Sequence, residues 1–301
     1  MKLTRIILLA ATGVALSTGV ILTACKKSSS AASGSANTAD NNAVAMSTAA
    51  ATADNQYNDV LNVGLQIGAG GSTTIGRFGG QIRDGKPVEM DGGSGGTGCA
   101  VVSAIITDTT VFPITVAINF GTGCTGIDGI TRAGTVTYVF SGPIFLSGST
   151  ASVTFINYTV NGYQLAGTYS ITNTSTGGAL SFITSVVSGK VTFPDASFYT
   201  YSGTRTVTQT AGIGTLTLLD DSYSITGVHL FGNASGASLA DSITKPLVWP
   251  VTCNHIVSGI VGFTYTDGAT SLKGTLDYGN GTCDSTATIT VGPVAKTVEL
   301  P

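Results

Sequence analysis

The feature that most constrains this chain is an alternation of apolar and hydroxyl side chains that resumes after every turn from about residue 70 to the end. Only a strand sends successive side chains to opposite faces, so a persistent period of two excludes helix. In GTVTYVFSG it places Val136, Tyr138 and Phe140 on one face and Thr135 and Thr137 on the other. ASVTFINYTV and GTYSITNT continue the pattern. Asn161-Gly162 and Asp267-Gly268 stand between alternating runs, and both pairs suit hairpin turns that demand positive φ. Residues 70–301 therefore read as one all-β domain, an antiparallel meander forming a sandwich, a barrel or a long twisted sheet. Periodicity does not choose among the three.

One helix precedes the strands. Ala49, Ala53, Tyr57, Val60, Leu61 and Leu65 recur at helical spacing, and alanine is the best helix former. The helix is predicted over residues 42–67, ended by the glycines from Gly68 onward, with its Tyr57–Leu65 end docked on the β core. Residues 25–41 are rich in Ser, Ala, Asn and Gly without a large apolar side chain, which predicts a flexible tether.

The first 24 residues read as a secretory signal peptide. Lys2 and Arg5 are followed by an uncharged apolar stretch, Ile6 to Leu22. A transmembrane helix needs about 20 apolar residues, and this run is broken by Thr12, Gly13, Ser17, Thr18 and Gly19. Leu22-Thr23-Ala24-Cys25 resembles the lipobox of bacterial lipoproteins. That resemblance implies cleavage before Cys25, lipid on its thiol and acylation of the new amino terminus. Several acyl chains on one residue satisfy the requirement for stable anchoring. In Gram-negative members of the family an Asp after the cysteine favours the inner membrane. Lys26 and Lys27 stand there instead, so the resemblance implies the outer membrane, with the periplasmic face and the cell surface both open.

Cleavage leaves 11 Lys and Arg against 16 Asp and Glu, a side-chain balance of −5. Without a basic stripe, nucleic acid is not an expected partner. Charged residues make up 10% of the chain against about 25% in ordinary soluble domains, and Gly, Ser and Thr fill the polar positions. That composition suits an extracytoplasmic β protein.

Four further cysteines form a pattern. Opposed residues in a hairpin share one index sum. Cys253 and Cys283 sum to 536, centred on Gly268, and Cys99 and Cys124 sum to 223, centred between Val111 and Phe112. Each centre is a predicted turn, which selects the disulfides Cys99–Cys124 and Cys253–Cys283, and an exported domain with an even cysteine set supports them. The GTGC and GNGTCD segments also resemble a group of uncharacterised β-rich lipoproteins of Gram-negative bacteria over about Cys99 to Pro301. That resemblance implies architecture and no activity.

Catalytic motifs lack their context. Ser94 lies in a G-x-S-x-G match made of a glycine run, without the strand and helix of a nucleophile elbow. The G-x-G-x-x-G matches at 93–98 and 121–126 precede strand-like segments, so neither offers phosphate a helix N-terminus. His229 is expected on a solvent-facing side, opposite Val228 and Leu230, and His255 at a strand start. The adjacent Asp220 and Asp221 point to opposite faces of a strand and do not form a catalytic pair. Asp277, Asn280 and Asp284 lack EF-hand spacing and read as turn residues, so no metal and no cofactor is expected. Tyr199 and Tyr201 share one strand face and are the candidate binding residues, suited to stack on a sugar or peptide. The expectation is a lipid-anchored, non-catalytic envelope lipoprotein with a structural or binding role, its partners the membrane and an envelope protein or glycan. The alternatives are an envelope hydrolase whose site is assembled from distant strands, and an outer-membrane β-barrel.

Overall fold

A computed structural model of the chain describes residues 37–69, 88–89, 100–105, 112–126, 128–215 and 218–300. The helix α1 (Thr38–Ala69) starts ahead of its predicted first residue, 42. Asn37 is the N-cap. Its Oδ1 accepts the Asp40 backbone N–H at 2.8 Å, and the Asp40 carboxylate accepts the Asn37 N–H at 3.3 Å. This reciprocal pair satisfies two donors that helix geometry leaves without partners, and the acid suits the positive end of the helix dipole. Composition hides such a cap, because Asn, Thr and Asp favour loops as readily as helix starts.

Fifteen strands follow among the described residues. They are β1 (Val88–Glu89), β2 (Val101–Ile105), β3 (Ile114–Asn119), β4 (Cys124–Thr125) and β5 (Thr131–Phe140). Next come β6 (Thr150–Val160), β7 (Tyr163–Asn173), β8 (Ser181–Thr192), β9 (Phe198–Ala211) and β10 (Ser222–Asn233). The last are β11 (Ser238–Pro250), β12 (Ser258–Asp267), β13 (Thr270–Asn280), β14 (Thr286–Val291) and β15 (Val294–Glu299). All pair antiparallel in chain order as one up-and-down sheet, except that β3 passes over β4 to pair with β5, and β4 flanks the start of β5. Among the described residues β1 and β15 do not pair, so the sheet is open.

The sheet curls around α1. Every residue from Gln56 to Ile67 is buried, which covers all sides of the helix. Strands β7 and β11 to β15 lie against it. Hydroxyls from β5, β6 and β9 bond to it: Tyr138 donates to the Val60 carbonyl at 2.7 Å, Tyr158 to Asp59 at 3.5 Å and Tyr201 to Asp54 at 2.5 Å. The expected docking of one helix end thus extends along most of its length. Gly64 permits a close approach to β5, since a Cβ there would sit 2.9 Å from Cε1 of Tyr138. Val136, Tyr138 and Phe140 all face inward, as their alternation predicts.

Turns follow side-chain chemistry. Asn161 and Gly162 take φ of 49° and 84° between Val160 and Tyr163, the predicted two-residue turn. The second hairpin turns one residue later than predicted: Asp267 pairs with Thr270, and the loop is Gly268-Ala269.

Cys253 and Cys283 form a disulfide with Cα atoms 5.9 Å apart. Their predicted ladder register does not hold. Strands β12 and β13 pair at an index sum of 537, and a bulge shifts the final pair to Ser258 and Asn280, so both cysteines lie beyond the ladder. Strands β2 and β3 pair at a sum of 220 rather than 223, and Cys124 instead pairs with Arg132 of β5. In both places a side-chain turn ends the strand early: Asn119 accepts the Gly121 N–H and Asn280 the Thr282 N–H. Cys124 is disulfide-bonded. Cys99 and Cys25, together with the predicted signal peptide and most of the tether, lie outside the described residues.

Candidate functional site

Two carboxylates on α1 organise the polar interior. Asp54 pairs with Arg205 of β9 and accepts the Tyr201 hydroxyl. Arg205 Nε donates to His229 Nε2 at 3.1 Å, and His229 Nδ1 lies 2.8 Å from Oδ1 of Asp241. With Nε2 accepting, the imidazole proton sits on Nδ1 and is donated to Asp241, so the ring is neutral. Burial pushes the His229 pKa down, the bond to Asp241 opposes this, and the Arg205 charge adds to it. Burial also brings Arg205 down to about 10, still charged at neutral pH. The two cavities beside this cluster hold about 10 Å³ each, the limit for one water. Among the described residues, none of the cluster's buried side-chain polar atoms lacks a partner.

Asp59 meets Arg132 of β5. The guanidinium grips both carboxylate oxygens, with Nε 2.8 Å from Oδ2, and also donates to Asp128 at 2.9 Å. Arg132 is fully buried. Burial is the largest single influence and works to lower its pKa, but the charge and hydrogen bonds of Asp59, with Tyr158 and Asp128, together outweigh it and the net shift is upward. One cation between two carboxylates leaves a formal charge of −1, with the guanidinium committed to both acids.

Beside this ion cluster lies a cleft of about 220 Å³. The helix lines it with Asn55, Gln56, Asn58, Asp59 and Asn62. Four of these fall at i, i+3, i+4 and i+7, one face of the helix. Asn161 from the β6–β7 turn and Asn254 and His255 from the β11–β12 connection complete the polar lining. Ile130, Val160, Trp249 and Val251 supply apolar wall. Asparagine forms helix less readily than alanine. Asn58 and Asn62 are buried as residues, but their free polar atoms open into the cleft. Among the described residues the Asn58 side chain has no hydrogen bond, and Asn62 only accepts one, from Gln66 at 3.1 Å. Asn161 accepts the Thr131 N–H at 3.0 Å and Asn254 donates to the Asp128 carbonyl at 2.7 Å, leaving the other half of each amide unused. The buried Nδ1 of His255 has no partner among the described residues. Burial lowers the His255 pKa against the pull of Asp284, so the ring is neutral at neutral pH.

The residues singled out in the sequence are distributed differently. Tyr201 is buried against α1, and Tyr199 is half-buried between Phe193 and Phe231, at ring separations of 5.0 and 4.7 Å. The two rings therefore do not form an exposed binding face, because the strand face they share is the inner one. Phe198, on the other face, is exposed. His229 is also corrected: it faces inward, while Val228 and Leu230 are 56% and 53% exposed. Tyr223, Ile225 and Phe231 lie on the same strand face and are fully buried, so the ring goes inward with them. Asp221 is buried and Asp220 exposed, but both lie in the turn before β10 rather than in a strand. Asp277, Asn280 and Asp284 each accept a backbone N–H two residues on, in turns of their own. Ser94 and the 93–98 motif lie outside the described residues, and 121–126 forms a turn running into β4. The amide stripe of α1 was missed. Its signal is the run DNQYNDVLNVGLQ, where amides recur on the side opposite the apolar stripe.

Comparison with protein-family models, curated proteins and solved structures finds no match.

Proposed function

We propose that this protein is a lipid-anchored envelope lipoprotein that binds a small polar molecule in the cleft between α1 and the sheet and does not transform it. The LTAC box supports the anchor at Cys25 and, with Lys26 and Lys27 behind it, a place at the outer membrane. One observation carries the binding role: a cleft of about 220 Å³ into which the amides of Asn58, Asn62, Asn161 and Asn254 present hydrogen-bonding groups that no described protein atom engages. Within its lining His255 Nδ1 is both buried and unpaired among the described residues, and departures from full pairing concentrate at functional sites. The hydrolase alternative is disfavoured. In the Asp241–His229 pair the second ring nitrogen accepts from Arg205, where a hydrolase would present a nucleophile.

The single tryptophan, Trp249, lines the cleft, so its emission reports occupancy. Titrating the full chain with pools of neutral, anionic and cationic small molecules should shift that emission and raise the melting temperature. Silence in every pool rejects the binding role. For the anchor, Cys25→Ser should abolish acyl labelling and membrane partition, and normal partition of the unlabelled variant rejects it.

A further inference from the structure

We infer that the cleft takes an uncharged, hydroxyl-rich molecule no larger than about one sugar ring, held by the amides of Asn58, Asn62, Asn161 and Asn254; this narrows the binding role proposed above and rests on it. Size sets the first limit. A cleft of about 220 Å³ is smaller than the roughly 300–1,000 Å³ of typical ligand pockets, so the guest is a single small unit.

Charge sets the second. Arg132 is held by two carboxylates, and both oxygens of Asp59 already accept hydrogen bonds. The remaining polar lining consists of amides and an imidazole. An anion entering this site would meet a formal −1 and no available cation from Arg132, and a buried ion without a counter-charge is strongly disfavoured. An ammonium group would have to compete with the guanidinium for carboxylates whose four oxygens all already accept hydrogen bonds.

Hydrogen-bonding capacity sets the third. An amide offers donors on one side and an acceptor on the other, and a hydroxyl both donates and accepts. Hydroxyls therefore match the unused NH₂ groups of Asn62 and Asn161, the unused carbonyl of Asn254 and either tautomer of His255. An apolar guest would leave those groups dry and unpaired. The C–H surface of a sugar or cyclic polyol meets Ile130, Val160 and Val251 instead.

The test titrates the full chain with two sets of probes, reading Trp249 emission and melting temperature. The neutral set is glycerol, xylitol, myo-inositol, glucose, galactose and N-acetylglucosamine. The charged set is glucuronate and glucosamine. At least one neutral probe should bind with a Kd of about 1 mM or tighter. Glucuronate and glucosamine should bind at least about tenfold more weakly than glucose, following the cost of unpaired buried charge. Asn58→Leu and Asn62→Leu should each weaken the neutral probe by about tenfold or more, the effect of losing a bonded polar partner. Should either variant fold poorly, Asn254→Ala, at an exposed position, supplies the same reading. Binding of a charged probe as tight as any neutral one overturns this inference and leaves the binding role standing. Tight neutral binding that survives all three substitutions places the ligand elsewhere and overturns the inference too. Silence from both sets overturns the inference and leaves the binding role to be decided by the wider pools.

Discussion

The two acidic residues of α1 make a natural experiment. Asp54 and Asp59 each face an arginine from a strand, and each pair is buried and joined by a tyrosine hydroxyl. Around Asp54 the polar atoms are saturated and the adjoining cavities hold about 10 Å³ each. Around Asp59 the ion cluster is equally saturated, yet it borders about 220 Å³ of amide-lined space. A buried ion pair is thus no indicator of function by itself. The first region is a clamp fixing the helix inside the sheet, and the second is a clamp that borders a cleft.

The harshest way to break the comparison is to remove a cation. Arg132→Met should cost about 3–5 kcal/mol, because it strands two buried carboxylates. Urea unfolding measures it, and a loss under about 1 kcal/mol would mean water already reaches Asp59 and Asp128. Opening the disulfide comes next. Cys253 adjoins Asn254 and His255, so its bond to Cys283 secures the cleft side alone. Cys283→Ala paired with Cys253→Ala should lose about 3–4 kcal/mol for a closed loop of this size. Hydrogen exchange should quicken around residues 251–257 and stay unchanged around His229. Equal quickening at both would erase the distinction between the regions.

A smaller effect depends on pH. His229 has a folded pKa below its unfolded value of about 6.5, so the unfolded chain binds the extra proton more readily. Its contribution is constant above that pH, declines as pH falls through it, and levels off below the folded pKa. His229→Gln keeps one acceptor for Arg205 and one donor for Asp241, so it should flatten the decline. His255→Gln should change it less, since His255 is the less buried ring. The reverse ranking would place the water-excluded site at the cleft. The smallest effect is a gain: Asn62→Leu should add about 1 kcal/mol by removing an amide that is only half satisfied, provided the free protein does not depend on it. A loss of similar size would show that the cleft amides are structural.

Much of the wall was legible residue by residue. Alternation puts Tyr138 and Phe140 on one face, and Asn161-Gly162 must turn, because both statements concern a few adjacent backbone units. The same alternation could not say which face of GVHLF is inside. Val228 and Leu230 look like the core, but His229 goes inward with Phe231, Ile225 and Tyr223 of the same face, where Arg205 and Asp241 from neighbouring strands bond to the ring. Cysteine pairing was readable for Cys253–Cys283 while its register was not, since bulges and side-chain turns near the strand ends displace the count.

By itself, then, the sequence determined the period of each element, the tight turn at Asn161-Gly162, the apolar stripe of the helix and the partner of Cys253. All of these rest on interactions within a strand, a turn or one hairpin. Tertiary structure alone decided that the sheet curls around α1, burying the stripe's opposite face and placing Asn58 and Asn62 in the lining of a cleft. Burial of that face depends on how far fifteen strands wrap, a property summed over the whole sheet and written in no single segment of it.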